Sequence, residues 1–207
     1  MARCIIVGAG EVSCNINVND EDFVIAADGG YTRLCKQNIT PNLLLGDFDS
    51  YEGSLPCGIE TLKYPIEKDE TDMHLAYLEG KKRGYTDFLI YGALGGRLDH
   101  TLANISLLFA INSADGCHGI ISDGNTEISV ITDGGEAIYD ESEAGSISVF
   151  AIGGNAEGVT VSGLKYEAKD VTLRESFALG VSNSFIGKKA GISVRRGSLL
   201  IVRSGKS

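Results

Sequence analysis

Tryptophan is absent, proline occurs three times in 207 residues, and no apolar run approaches the roughly 18–20 residues that a membrane-crossing helix needs. A membrane partner is therefore not expected. The five cysteines (Cys4, Cys14, Cys35, Cys57 and Cys117) are odd in number, widely spaced and without a C-x-x-C pair. That pattern fits neither a disulfide framework nor a zinc framework and reads as reduced, mostly buried thiols of a cytoplasmic protein. No G-x-x-x-x-G-K-[ST] occurs, which excludes a Walker-type NTPase. Basic residues are scarce in one half: residues 1–135 hold 20 Asp and Glu against 9 Lys and Arg, and residues 136–207 hold 8 against 9. Gripping a nucleic-acid backbone is mostly Lys and Arg work, so nucleic acid is not an expected partner. The opening Met1-Ala2-Arg3-Cys4-Ile5-Ile6-Val7-Gly8 is broken by glycine too early for a secretion signal and reads as a first strand.

The hydrophobic content of 43% is ordinary for a globular chain, and the length suffices for one large domain or two small ones. Up to about residue 135, short Ile-, Val- and Leu-rich runs read as buried strands: Cys4–Val7, Phe23–Ala27, Leu43–Leu45, Ile59–Leu62, Phe88–Tyr91 and Ile120–Ile121. Helical stretches are predicted between them at about Tyr31–Gln37, Met73–Arg83 and Leu98–Ile111. In the last, Leu98, Leu102, Ile105, Leu108 and Phe109 have the spacing of a core-facing stripe. The alternation predicts an α/β fold, a mostly parallel Rossmann-like sheet flanked by helices, over residues 1–135. After Asp133-Gly134-Gly135 the period changes. Short β-type runs (Ala137–Tyr139, Ser146–Ala151, Thr160–Val161, Ser176–Leu179, Gly191–Arg195 and Ser198–Val202) predict a smaller all-β sandwich domain over residues 136–207.

The first half places its aspartates where its strands end. Phe23–Ala27 runs into Asp28-Gly29-Gly30, Leu43–Leu45 into Gly46-Asp47-Phe48-Asp49-Ser50, and Phe88–Tyr91 into Gly92-Ala93-Leu94-Gly95-Gly96-Arg97-Leu98-Asp99-His100. Glu67-Lys68-Asp69-Glu70-Thr71-Asp72 precedes a helix. In an open parallel sheet the carboxyl ends of the strands share one crevice, where ligands bind. Singly, Asp28, Asp47 and Asp72 are accounted for as turn formers or helix N-caps. Together they are not, because two carboxylates about 4 Å apart repel by about 4 kcal/mol at an effective dielectric near 20. A divalent cation resolves the repulsion, and all-oxygen donors without a His/Cys cluster point to Mg²⁺, with Mn²⁺ as the alternative. Asp47-x-Asp49 projects two carboxylates to one side of an extended segment. The turns at Gly8-Ala9-Gly10, Gly29-Gly30 and Gly95-Gly96 can bring backbone N–H groups to phosphate oxygens. Arg97 leads a helix, where a forked donor suits a phosphate or pairs with a neighbouring acid. Lys68, within a run of acids, is equally well accounted for by solvation.

Asp28-Gly29-Gly30, Leu44-Leu45-Gly46-Asp47-Phe48-Asp49-Ser50, Asp69-Glu70-Thr71-Asp72-Met73 and Gly92-Ala93-Leu94-Gly95-Gly96-Arg97-Leu98-Asp99-His100 stand in this order. They resemble the motifs of the thiamine pyrophosphokinase family, and Gly163-Leu164-Lys165-Tyr166 and Gly180-Val181-Ser182-Asn183 resemble the two short motifs of its β-rich domain. The resemblance implies transfer of the terminal pyrophosphate of ATP to the hydroxyethyl oxygen of thiamine, giving thiamine diphosphate and AMP. It implies a catalytic domain binding ATP and metal, a thiamine-binding sandwich, and a homodimer with active sites between subunits. The metal·ATP carboxylates it implies are Asp28, Asp47, Asp49, Asp72 and Asp99. Further nucleotide contacts are Gly29, Lys68, Thr71 and Arg97, and the thiamine contacts are Tyr166, Ser182 and Asn183. The sequence departs from the family pattern at Tyr166, where some relatives carry Trp, and at Ser184, where bacterial relatives often carry Glu.

Three other readings compete. A metal-dependent nucleotide-sugar glycosyltransferase also uses Asp-x-Asp after a strand, here Asp47 and Asp49, but leaves the Asp69–Asp72 and Gly95–Asp99 motifs without a role. A haloacid-dehalogenase-type phosphatase would use the first aspartate of that pair as nucleophile. A non-catalytic nucleotide-binding module would hold ATP and metal without turnover.

Overall fold

The runs Cys4–Val7, Phe23–Ala27 and Leu43–Leu45 form strands buried on both faces, as the centre of a parallel sheet requires, whereas the Ile59–Leu62 run, expected to be buried, gives an edge strand with no buried residue. The computed structural model describes residues 2–47, 58–65, 67, 69–141 and 143–205, and these form two units, Met1–Gly124 and Asn125–Ser207. Asp49 and Lys68 lie outside the described residues.

The first unit runs β1 (Cys4–Val7), β2 (Phe23–Ala27), α1 (Gly30–Lys36), β3 (Leu43–Gly46), β4 (Glu60–Lys63), α2 (Asp72–Lys82), β5 (Asp87–Tyr91), α3 (Leu98–Asn112) and β6 (His118–Ser122). All the strands are parallel, in the order β6-β5-β1-β2-β3-β4. The order reverses between β5 and β1, the position where ligands bind in open α/β sheets. Alternate residues point to opposite faces. Ile5, Val7, Val24, Ala26 and Leu44 pack with Leu34 and Tyr31 of α1. On the other face α2 lies close because it offers Gly80, where a Cβ would stand 2.7 Å from the Cys4 sulfur and 2.9 Å from the Phe88 ring.

The second unit comprises β7 (Thr126–Ile131), β8 (Glu136–Tyr139), β9 (Ser146–Ala151), β10 (Ala156–Ser162), β11 (Ala168–Leu173), β12 (Gly180–Ser184), β13 (Ala190–Ser193) and β14 (Leu199–Ser204). Within it, β12-β9-β14-β7 and β11-β10-β13-β8 are two antiparallel sets. Ile147, Val149, Leu199 and Ile201 of the first share a core with Val159, Val161, Leu173 and Ile192 of the second. This is the expected sandwich.

Four expectations are corrected. The division falls after Gly124 rather than at 135, because β7 pairs along its whole length with β14. Ser176–Leu179 is not a strand, whereas Ala168–Leu173 is one (β11), hidden in the sequence because exposed Lys169 and Asp170 dilute its apolar run. The buried stripe of α3 is Asn104, Leu107, Leu108 and Ile111, with Leu108 and Ile111 seated on Gly119 of β6. Leu98 and Leu102 are 71% and 56% exposed, although the spacing turns them inward. Of the described cysteines, all free thiols, only Cys4 is buried, and burial pushes its thiol up to about 12.

Candidate active site

Two glycine turns are laced together, and the first of them lines the site through Gly8 and Ala9. After β1 the chain enters Gly8-Ala9-Gly10, and after β5 it enters Gly92-Ala93-Leu94. The Gly8 N–H donates to the Tyr91 carbonyl at 2.8 Å, that of Gly10 to Gly92 at 2.9 Å and that of Glu11 to Leu94 at 3.3 Å. Gly92 has φ +63°, and a Cβ there would stand 2.3 Å from the Gly8 carbonyl oxygen, so the lacing requires glycine. This corrects one expectation: the Gly8 and Gly10 N–H groups are bonded to the neighbouring turn instead of being presented to a phosphate.

The carboxylates come from separate elements. Asp28 follows β2 in the left-handed region, φ 47°, with its N–H donating to Leu45 at 2.7 Å. That conformation costs a non-glycine residue about 1–2 kcal/mol, and aspartate tolerates it better than most. Asp47 follows β3. Thr71 caps α2, its hydroxyl accepting the His74 N–H at 3.2 Å. Asp72 occupies the first turn of α2, where the positive end of the helix favours a carboxylate.

Asp28, Asp47, Glu70, Thr71 and Asp72 line one cavity of about 250 Å³ at the carboxyl ends of β1, β2 and β3, together with Gly8, Ala9 and, from α3, His100 and Asn104. Gly29 adjoins it as the N-cap of α1. Glu70, His100 and Asn104 have no role in the sequence-based expectations, although Glu70 and His100 stand inside motifs singled out there and Asn104 lies in the predicted helix Leu98–Ile111. Buried Asn104 donates from Nδ2 to the Ala93 carbonyl at 2.8 Å and so ties α3 to the β5 turn. The donor set is oxygen-rich and suits a hard cation such as Mg²⁺ or Mn²⁺. Among the described residues no three His, Cys, Asp or Glu side chains stand together as a metal-binding group.

Arg97 and Asp99 are not among the described residues lining this cavity. Arg97 Nε and Nη2 donate to Asp99 Oδ1 and Oδ2 at 3.2 and 2.6 Å, and both side chains are exposed. The guanidinium holds the Asp99 carboxyl below the usual range. Of the two partners expected for Arg97, a phosphate or a neighbouring acid, the structure shows the acid, Asp99.

In the second unit a hollow of about 440 Å³ is walled by Val149, Val159, Val161, Val171 and Leu173 and edged by exposed Tyr166, Leu179 and Val181. Asn183 also lines it. Ser182 has φ 60° and its N–H donates to Ser148 Oγ at 3.1 Å; it is exposed and is not among the described lining residues.

A family model described as "Thiamin pyrophosphokinase, catalytic domain" matches residues 15–118, half of the chain, and one described as "Thiamin pyrophosphokinase, vitamin B1 binding domain" matches residues 137–199. The chain belongs to the thiamin pyrophosphokinase family. It is 29% identical over 185 residues to the thiamine pyrophosphokinase of Bacillus subtilis (strain 168), covering 87% of this chain and 86% of that one. It is 24% identical over 177 residues to thiamin pyrophosphokinase 1 of Caenorhabditis elegans, covering 80% and 72%. The crystal structure of the Bacillus subtilis enzyme superposes with a TM-score of 0.87 at 24% identity, over 99% of this chain and all of that one. The catalytic match covers the acidic residues that line the cavity of the first unit, and the vitamin B1 match covers the hollow of the second.

Proposed function

We propose that this chain transfers pyrophosphate from ATP to the hydroxyethyl oxygen of thiamine, giving thiamine diphosphate and AMP, and that the carboxylate cavity is where ATP is held. The observation that carries the reading is the meeting of Asp28, Asp47, Glu70 and Asp72 in one cavity within the part that matches the catalytic family. The first unit is read as a Rossmann-like nucleotide domain, which the strand reversal between β5 and β1 supports.

Asp47 and Asp72, with Asp28 and with Asp49 of the same Asp-x-Asp pair, would hold Mg²⁺, which when bound offsets phosphate charge. Phosphoryl transfer of this kind asks a protein for positioning and charge placement rather than a covalent intermediate. Gly29, Thr71 and Lys68 complete the nucleotide contacts of this reading, and Arg97 exchanges its bond to Asp99 for a phosphate. The thiamine oxygen attacks the β-phosphorus, the bond to the α-phosphate oxygen breaks, and AMP leaves. Two aspartates could accept the hydroxyl proton, Asp72 and Asp99. Asp72, which lines the cavity, is the better placed. The acidic crevice also attracts the positive thiazolium.

Tyr166, Ser182 and Asn183 belong to the thiamine side of the reading, at the hollow of the vitamin B1 match. The reading takes the enzyme as a cytoplasmic homodimer with active sites between subunits. Its support is the set of large apolar side chains left at the surface, Leu98, Leu102, Phe177 and Leu179 among them.

Both family matches favour this reading over the glycosyltransferase and the non-catalytic module. Incubation with ATP, Mg²⁺ and thiamine, with the nucleotides resolved, is expected to give AMP only when thiamine is present. Formation of ADP, release of phosphate, or no turnover overturns it.

A further inference from the structure

The Asn183 carboxamide is nearly sealed from solvent, at 9% exposure, and its polar atoms are engaged. Oδ1 accepts the N–H of Tyr166 at 2.9 Å and the N–H of Ser184 at 2.9 Å, while Nδ2 donates to the Tyr166 carbonyl at 2.7 Å. A carboxamide oxygen has two lone pairs, so its acceptor capacity is filled. The edge of an aminopyrimidine needs a donor and an acceptor together, and Asn183 has no acceptor left to offer. What the amide does instead is grip both main-chain groups of one residue. The adjoining backbone reinforces that grip: the Lys165 N–H donates to Ser184 at 3.0 Å, and Leu164 bridges Phe185. Tyr166, 62% exposed, is thereby set at the edge of the valine-walled hollow.

We infer that Asn183 is a positioning residue whose carboxamide fixes the Tyr166 backbone, and that the Tyr166 ring meets the neutral pyrimidine of the substrate. The inference rests on the thiamine reading above. Lys165 Nζ stands 5.3 Å from the Tyr166 ring centroid. A second cation beside it meets like charge, so the thiazolium is disfavoured at this ring and the uncharged pyrimidine suits it. Offset stacking on a ring held by its own backbone needs no side-chain amide in contact with the substrate.

The test is a double-mutant cycle on the full-length enzyme, with KM for thiamine and for ATP measured for Tyr166→Ala, Asn183→Ala and the double variant. Each single change is expected to raise the thiamine KM about tenfold and the ATP KM less than twofold. In the Tyr166→Ala background Asn183→Ala is expected to add less than twofold, because the ring it positions is gone. A second readout uses a thiamine analogue with oxo in place of the pyrimidine amino group. The wild-type preference between amino and oxo forms is expected to survive in Asn183→Ala. Additive effects in the cycle, or loss of the amino/oxo preference, overturn the inference and return Asn183 to direct contact. Should Asn183→Ala fail to fold, Asn183→Asp, which keeps the acceptor and loses the donor, carries the same two comparisons. Thiamine-dependent AMP from the wild-type enzyme is the control: its absence sinks the functional reading, whereas its presence with an additive cycle sinks only this inference.

Discussion

The two cavities are built in opposite ways. In the first unit Asp28, Asp47 and the Glu70–Asp72 segment arrive from different loops at one place, and close backbone approach of Asp28 to Gly46 sets the first two side by side. In the second unit the hollow is walled by Val149, Val159, Val161 and Val171, with its edge residue Tyr166 fixed by a single amide. The first lines its wall with acidic side chains. The second leaves apolar walls open that folding alone would close. Each therefore forgoes stability in a different way, and a ligand of the matching chemistry restores it.

The largest expected effect follows from the carboxylates. Asp47→Asn and Asp72→Asn should each lower thiamine-dependent AMP formation at least a hundredfold, the scale on which losing one electrostatic group in a preorganised site is felt. The melting temperature without ligand should stay within a few degrees of the wild-type value, because asparagine keeps the shape of the side chain. Turnover near the wild-type level in either variant would remove that aspartate from the site.

That contrast also decides what can be read from sequence. Charge at strand ends is visible in a linear chain. Asp28-Gly29-Gly30 and Gly46-Asp47 follow runs of Ile, Val and Leu that fit a buried strand and little else, and the structure brings Asp28, Asp47, Thr71 and Asp72 to one cavity. Arg97 and Asp99 stand two apart and bond to each other, the pairing with a neighbouring acid that is one of the two sequence-based readings of Arg97. The α3 stripe misleads because the helix is apolar on more than one face, and only contact with Gly119 settles which face turns inward. The hollow is illegible in the sequence. It is made of side chains that read as ordinary core and of the space between them, and the bonds between the Asn183 carboxamide and the Tyr166 backbone join residues 17 apart, which no local pattern shows.

A change in the second unit should therefore act on the other substrate. Ala168 lines the hollow and is partly exposed. Ala168→Leu adds apolar volume where there is room, so it should stabilise the chain by about 1 kcal/mol, as cavity filling commonly does. It should also raise the thiamine KM severalfold and leave the ATP KM unchanged. A variant in which both KM values rise together would break the division of labour between the two cavities.

The smallest effect concerns a charge that is not among the described lining residues of either cavity. Asp22 is buried and accepts from Arg3 Nε at 3.2 Å, Arg3 Nη2 at 2.5 Å, the Arg3 N–H at 3.0 Å and the Asn19 N–H at 2.9 Å. The second unit buries Arg203 between Glu127 and Glu143 and leaves its Nε without a partner among the described residues. Burial works against the ionised form of Asp22, but the Arg3 guanidinium and the two backbone donors prevail and hold its carboxyl below the ordinary value. Asp22→Asn should cost about 2 kcal/mol, a fall in melting temperature of about 4–8 °C for a chain of this size. A carboxyl depressed in the folded state contributes fully above its unfolded value near pH 4 and loses that contribution as pH falls through the folded value. The gap between wild type and variant should thus be full at neutral pH and narrow as the solution is acidified below about pH 4. A gap of constant size across that range would mean that the variant loses packing rather than a paired charge.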